Sequence, residues 1–113
     1  MGFFDFLRSV ARYERDDYGI GRLNQRHRKL IAPIAADLAG ARVLDLAAHD
    51  GRWSFAFAAA GAAEVVGIEG RQHLIDRFVE FPQDEAAARV TLRCGDIFEG
   101  MEADLAAGVR YDV

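Results

Sequence analysis

The chain has 113 residues and a mass of 12.5 kDa, with 51% hydrophobic and 28% charged residues, a balance that fits one folded domain and excludes a disordered tail. Its net charge of −4 is unevenly placed: residues 1–30 hold seven Lys/Arg against four Asp/Glu, and residues 31–113 hold seven against fourteen. A body this acidic lacks the basic face that phosphate neutralisation needs, so nucleic acid is unsupported as a partner and only the N-terminal arm leaves room for a polyanion.

The single cysteine, Cys94, excludes an internal disulfide and a cysteine-based zinc site and points to a reducing compartment, the cytoplasm. His27, His49 and His73 show no metal-ligand spacing, so no metal is expected. No apolar run approaches the roughly 20 residues of a membrane span. The start of the chain lacks the basic and apolar regions of a secretion signal, and Phe6 breaks the myristoylation pattern.

The N-terminal arm opens with Phe3, Phe4, Phe6, Leu7 and Val10 at helical spacing, and the turn formers Asp16 to Gly21 then predict a hinge. From Arg22 to Leu38, apolar positions Leu23, Leu30, Ile31, Ile34, Ala35 and Leu38 fall mainly on one side of a helix that Pro33 kinks or restarts, and Gly40 closes it. Arg22, Arg26, Arg28 and Lys29 read as a solvated face of that helix. A lesser reading folds the arm over a ligand, with Tyr18 or Arg26 touching it.

The period then changes. Arg42–Leu46 is a short β-type run, followed by the loop Ala47–Gly51 and an alanine- and phenylalanine-rich helix from Arg52 to Ala60. Glu64–Ile68 is a second strand, ending at Glu69-Gly70, and Gln72 to about Phe81 a second helix that Pro82 breaks. Arg89–Cys94 is a third strand, leading through Gly95-Asp96 into a helix over 98–107, and Val109–Val113 reads as a strand just beginning. This alternation with short links predicts an α/β fold, a Rossmann-like doubly wound parallel sheet that stops as its fourth strand starts. Residues 1–39 would form a helical arm and 40–113 the binding domain.

Ligands of such sheets bind outside the carboxyl ends of the strands. Three groups reach that edge: the Ala47–Gly51 loop, Glu69 and Asp96. Glu69 lies 18 positions after Gly51, close to the spacing at which a carboxylate accepts from ribose hydroxyls, and it would repel a ribose 2′-phosphate. A pyrophosphate loop wants G-x-G-x-x-G, but this chain has Ala47, His49 and Arg52 there, which opposes a nicotinamide-dependent oxidoreductase. A ligand without phosphates asks less of the loop. S-adenosylmethionine is one, and Asp45 with Asp50 would receive its ammonium and sulfonium charges.

In order and spacing, Val43-Leu44-Asp45-Leu46-Ala47-Ala48-His49-Asp50-Gly51-Arg52-Trp53-Ser54, Val65-Val66-Gly67-Ile68-Glu69, Cys94-Gly95-Asp96-Ile97-Phe98 and Tyr111-Asp112-Val113 resemble the successive motifs of class I S-adenosylmethionine-dependent methyltransferases. The resemblance implies that Asp45 and the backbone of Ala47, His49 and Gly51 lie beside the cofactor's methionine moiety. It further implies Glu69 on the ribose hydroxyls, Asp96 on the adenine amino group, and Gly70 with Ile97 against the adenine faces. The family usually has glycine where this chain has Ala47 and His49, and only Gly51 persists. The family's sheet runs 3-2-1-4-5-7-6, with groups that hold the acceptor commonly at strand four and later, so the chain is expected to be a cofactor-binding half. The open sheet edge would invite dimerisation.

Beside these readings stand plainer ones. Asp50 would cap the following helix, Cys94 would be a small buried sheet residue, Trp53 and Phe55 would pack the helix on the sheet, and His27 and His73 would face solvent. The expected function is transfer of a methyl group to a small-molecule acceptor. The alternative is a non-catalytic cofactor- or nucleoside-binding or dimerisation module.

Overall fold

A computed structural model describes residues 2–113. Three strands, β1 (Arg42–Leu46), β2 (Glu64–Glu69) and β3 (Val90–Cys94), form one parallel sheet with β2 in the middle. Asp45 stands opposite Gly67, and Glu69 opposite Cys94. On the free edge of β1, the Asp112 N–H donates to the Arg42 carbonyl at 2.7 Å and Leu44 N–H to the Val113 carbonyl at 2.9 Å. The last residues therefore lie where the expected fourth strand begins, giving the order 3-2-1 followed by this segment.

Helices cover both faces, as a doubly wound sheet requires. On one face α3 (Arg52–Ala59) packs Phe55, Ala56 and Ala58 onto Val43 and Val65, all but out of contact with solvent. Gly67 belongs to this face because nothing larger fits: a Cβ there would come within 2.9 Å of Leu92, Ala48 and Ser54. The opposite face carries α6 (Ile97–Ala106), pressed close enough that a Cβ on Gly100 would sit 2.7 Å from Ile68.

Several local expectations are corrected. Asp16 to Gly21 is no hinge: Asp16 accepts the Gly19 N–H at 2.9 Å and so caps α1 (Asp17–Arg26), turn-forming residues here serving as a helix start. The helix expected over Arg22–Leu38 is broken into a wide π turn at His27–Ile31, a tight turn at Ala32–Ile34 and α2 (Ala35–Leu38). Pro33 cannot donate to the preceding turn and its ring crowds that turn's carbonyl, which accounts for the interruption. As a result Leu30 and Ile34 face outward while Leu23, Ile31 and Leu38 are buried.

The helix expected over Gln72–Phe81 is α-helical only in α4 (Gln72–Ile75) and tightens to a 3₁₀ turn over Asp76–Glu80. Near three residues per turn, Phe78 and Phe81 come to lie one above the other, their rings stacked at 5.4 Å. The sequence reading missed α5 (Glu85–Ala88), capped by Asp84 through the Ala87 N–H at 3.1 Å.

The arm shares the core of the body. Phe3 to Ser9 forms a 3₁₀ segment, and Phe6 meets Phe55 and Phe81 edge-to-face at 5.6 and 5.5 Å, while Phe4 meets Trp53 at 5.3 Å. Buried Asn24 of α1 fastens it, accepting the Phe4 N–H at 2.7 Å and donating to Asp5 at 2.8 Å. His27 is not solvent-facing as expected: it stacks on Phe3 at 4.5 Å, and burial, helped by Arg28, lowers its pKa. No helix among the described residues is long and apolar enough to cross a membrane.

Candidate cofactor site

The three strand tips meet. The buried Glu69 carboxylate accepts the His49 N–H at 2.8 Å, tying β2 to the loop after β1, and the Glu69 carbonyl accepts the Gly95 N–H at 3.0 Å, tying β2 to the turn after β3. The Ala48 N–H closes the first junction by donating to Ile68 at 3.0 Å. Gly70 and Gly95 leave the third side bare: a Cβ on Gly70 would be 3.7 Å from the Gly95 carbonyl, and one on Gly95 would meet nothing within 4 Å.

The loop holds the turn of glycines without having them. Ala47 and His49 both adopt φ +59°, the left-handed region that costs an L-residue about 1–2 kcal/mol. Gly51, at φ +86°, is the glycine that could not be replaced: a Cβ would lie 2.5 Å from the Phe78 ring. Strain at two non-glycine positions on either side of Ala48, in the loop that follows β1, marks a backbone shape kept for its geometry.

Asp45, half-buried, accepts from the Ser54 hydroxyl of α3 at 2.7 Å. Burial raises its pKa, Ser54 works against that rise, and the Glu69 charge adds to it. Glu69 moves the other way. The Arg71 side chain, then the His49 and Arg71 backbone N–H groups, outweigh the opposing effect of burial and hold its carboxyl at about 2, against an ordinary 4.5. Asp96 caps α6, accepting the Phe98 and Glu99 N–H groups at 2.9 and 3.0 Å through Oδ1, which leaves Oδ2 as its remaining acceptor. Ile97 follows at the first helical position, half-buried; Gly70 and Cys94 are exposed, and the Cys94 Sγ is 3.7 Å from the Gly70 carbonyl. Cys94 is thus exposed rather than buried as expected, because it ends its strand at the rim.

Asp50 is fully buried, with the His49 ring Nδ1 3.5 Å from its Oδ1. Arg52 grips it with Nε on Oδ1 and Nη2 on Oδ2, both at 2.9 Å, and its carboxylate also accepts the Arg52 N–H at 3.2 Å, so the expected capping role is present in part. Burial pushes the Asp50 carboxyl up, but Arg52 more than reverses this and the pKa falls. Arg52 also donates to the Tyr13 hydroxyl at 2.9 Å, and Arg12 lies 3.8 Å from Asp50 while bonding Glu80 at 2.7 Å. The arm therefore buttresses the loop from behind. Tyr18 and Arg26, the arm residues read as touching a ligand, are exposed on α1, Tyr18 beneath the Arg22 guanidinium at 5.8 Å.

Ser54, Arg71, Arg52 and Tyr13 were not singled out from sequence as partners of these carboxylates. One signal was legible: Asp50-Gly51-Arg52 and Glu69-Gly70-Arg71 repeat an acid-glycine-arginine spacing, and in both the arginine doubles back onto the acid. Elsewhere, grooves of about 350 Å³ beside Val10, Arg12 and Glu80 and about 410 Å³ along Tyr18, Arg22 and Arg28 take in none of the strand-tip residues. Among the described residues no cluster of three or more His, Cys, Asp or Glu could hold a metal ion.

No family model matches the sequence, and no curated protein matches it. Solved structures do. SMU.776, described as a methyltransferase and complexed with S-adenosylhomocysteine, is 22% identical with a TM-score of 0.63 over 76% of this chain and 23% of its own length. A Streptococcus mutans protein described as S-adenosylmethionine-dependent gives 24%, 0.62, 79% and 23% for the same quantities. A Pyrococcus horikoshii protein described as an RNA methyltransferase gives 26%, 0.59, 67% and 38%. The chain thus spans between about a quarter and two fifths of the length of these structures. Over its three strands, their tips and the flanking helices, the chain has the fold of the class I S-adenosylmethionine-dependent methyltransferases.

Proposed function

We propose that residues 40–113 form the S-adenosylmethionine-binding part of a methyltransferase, with residues 1–39 as its helical arm, and that the acceptor is a small molecule. The observation that carries the reading is Glu69: a buried carboxylate, ionised throughout the physiological range, between the loop after β1 and the turn after β3. Such a group accepts from hydroxyls and would repel a phosphate, so it fits a nucleoside ligand that carries none. Asp96 Oδ2 supplies an acceptor for an amino group, and the bare Gly70–Gly95 side leaves room for a flat ring beside Ile97. Asp45, with the backbone of Ala47, His49 and Gly51, would take the methionine end, where a raised pKa is brought down again by a nearby ammonium. That similar structures are described as S-adenosylmethionine-dependent or hold S-adenosylhomocysteine supports the same ligand.

When bound, the cofactor supplies an electrophilic methyl on a sulfonium. The chain's own residues act by holding it: Glu69 and Asp96 fix the nucleoside, and the strained loop sets the depth of the amino-acid end, so that alignment provides the rate. The acidic body disfavours a polyanionic acceptor, and the lone cysteine favours the cytoplasm. A second copy pairing along the exposed sheet edge is the oligomer this reading would allow.

Titration calorimetry tests the proposal. S-adenosylhomocysteine and S-adenosylmethionine should bind saturably and NAD should not, and Glu69→Ala should weaken S-adenosylhomocysteine about tenfold or more, the loss of hydrogen bonds to a charged acceptor. Silence with all three ligands would overturn it.

A further inference from the structure

The two acid-glycine-arginine pairs differ in one respect, which gives Arg71 a role. A carboxylate offers about four lone-pair positions. At Glu69 all are taken: Oε1 accepts the His49 N–H at 2.8 Å and Arg71 Nη2 at 3.3 Å, and Oε2 accepts the Arg71 N–H at 3.0 Å and Arg71 Nε at 2.9 Å. A ribose diol that bonds this carboxylate must therefore displace something. The two backbone donors cannot leave without undoing the loop after β1 and the start of α4. The guanidinium can: its side chain is 58% exposed, whereas that of Arg52, locked on Asp50 and Tyr13, is 20% exposed.

We propose that Arg71 is a displaceable occupant of the ribose position, which a nucleoside must lever off Glu69 in order to bind, so that Arg71 sets the affinity of the site. The proposal rests on the cofactor reading above. It has three consequences. Removing the guanidinium should tighten binding, contrary to the usual effect of deleting a site arginine. Binding should strengthen with salt in the wild type, since screening weakens the pair that must break, and a neutral ligand isolates this effect. A nucleoside without its ribose hydroxyls should not profit from the deletion, because it has no call on Glu69.

The test uses 5′-methylthioadenosine, an uncharged nucleoside with both hydroxyls, titrated calorimetrically into the wild type, Arg71→Ala and Arg71→Gln at low and high salt. Arg71→Ala should bind about two- to fivefold tighter, the range of an exposed ion pair, and lose the salt dependence, with Arg71→Gln between the two. S-adenosylhomocysteine should follow the same order. Equal or weaker binding by Arg71→Ala, with wild-type binding intact, overturns the displacement while leaving the cofactor reading in place. No binding of either ligand by any of the three proteins overturns that reading and the inference with it. Because Arg71 is exposed, circular dichroism of the variants should match the wild type.

Discussion

The backbone N–H of His49 rests on the carboxylate of Glu69 at 2.8 Å, so the tip of β2 holds the loop that follows β1 in its strained form. If Glu69 binds the ribose as proposed, binding and folding share one side chain. Glu69→Gln keeps a carbonyl acceptor for His49 but loses the charge, and it should cost about 1–3 kcal/mol of stability as well as affinity. Urea denaturation beside calorimetry measures the two losses; a variant that lost affinity with stability unchanged would mean that the loop does not lean on Glu69.

The same carboxylate fixes an acid limit. Its pKa lies near 2 in the folded chain against an ordinary 4.5, so its contribution is fully present above about pH 4.5 and is lost as pH falls toward 2. The stability gap between wild type and Glu69→Gln should accordingly be constant from pH 7 to 5 and close below that. Asp45 acts in the opposite sense: with its pKa raised, it favours the folded chain below its ordinary 3.8 and loses that effect as pH rises through its folded value, so Asp45→Asn should remove this offset and steepen the loss of stability toward acid pH. Chemical denaturation across pH 2–7 reads both.

Ala47 and His49 should each accept glycine with a gain. Relief of a left-handed L-residue is worth about 1–2 kcal/mol, against about 0.4–1 kcal/mol for the greater freedom of glycine in the unfolded chain, leaving a net gain of about 0.5–1 kcal/mol per site. Gly51→Ala should destabilise by more than 1 kcal/mol, since it adds the same strain and drives a methyl into Phe78. Thermal melts decide: a fall in melting temperature for Ala47→Gly would show that its turn carries no penalty.

Behind the loop, Arg52→Ala should be the costliest change, about 3–5 kcal/mol, because it strands the fully buried Asp50. Tyr13→Phe removes a single hydrogen bond to Arg52 and should cost about 1 kcal/mol. If Arg52→Ala proved as mild as Tyr13→Phe in urea, Asp50 would have another counter-ion, for which Arg12 at 3.8 Å is the candidate.

The alternation of apolar runs made the strands and their carboxyl ends legible, because a strand buried on both faces must be apolar and the link after it must be polar. Arg42–Leu46 matches within a residue, as does the helix capped by Asp96. The convergence of loop, Glu69 and Asp96 follows from the parallel order alone. Aromatic crowding was not legible: nothing in the spacing says that Phe78 and Phe81 need a tightened turn to stack, or that Phe3 takes up His27. Nor does a sequence reveal that Ala47 is bent as glycine would be, since the cost of doing so is met by contacts such as Ala48 on Ile68, from a strand 20 residues away.

Phe3, Phe4 and Phe6 fill the space above Phe55, Phe81 and Trp53. Expressing residues 40–113 alone would leave those three rings wet, deprive Asp50 of Arg12 and deprive Arg52 of the Tyr13 hydroxyl at once, so the shortened protein should come out of solution, and attempts at a minimal version of the fold should trim elsewhere.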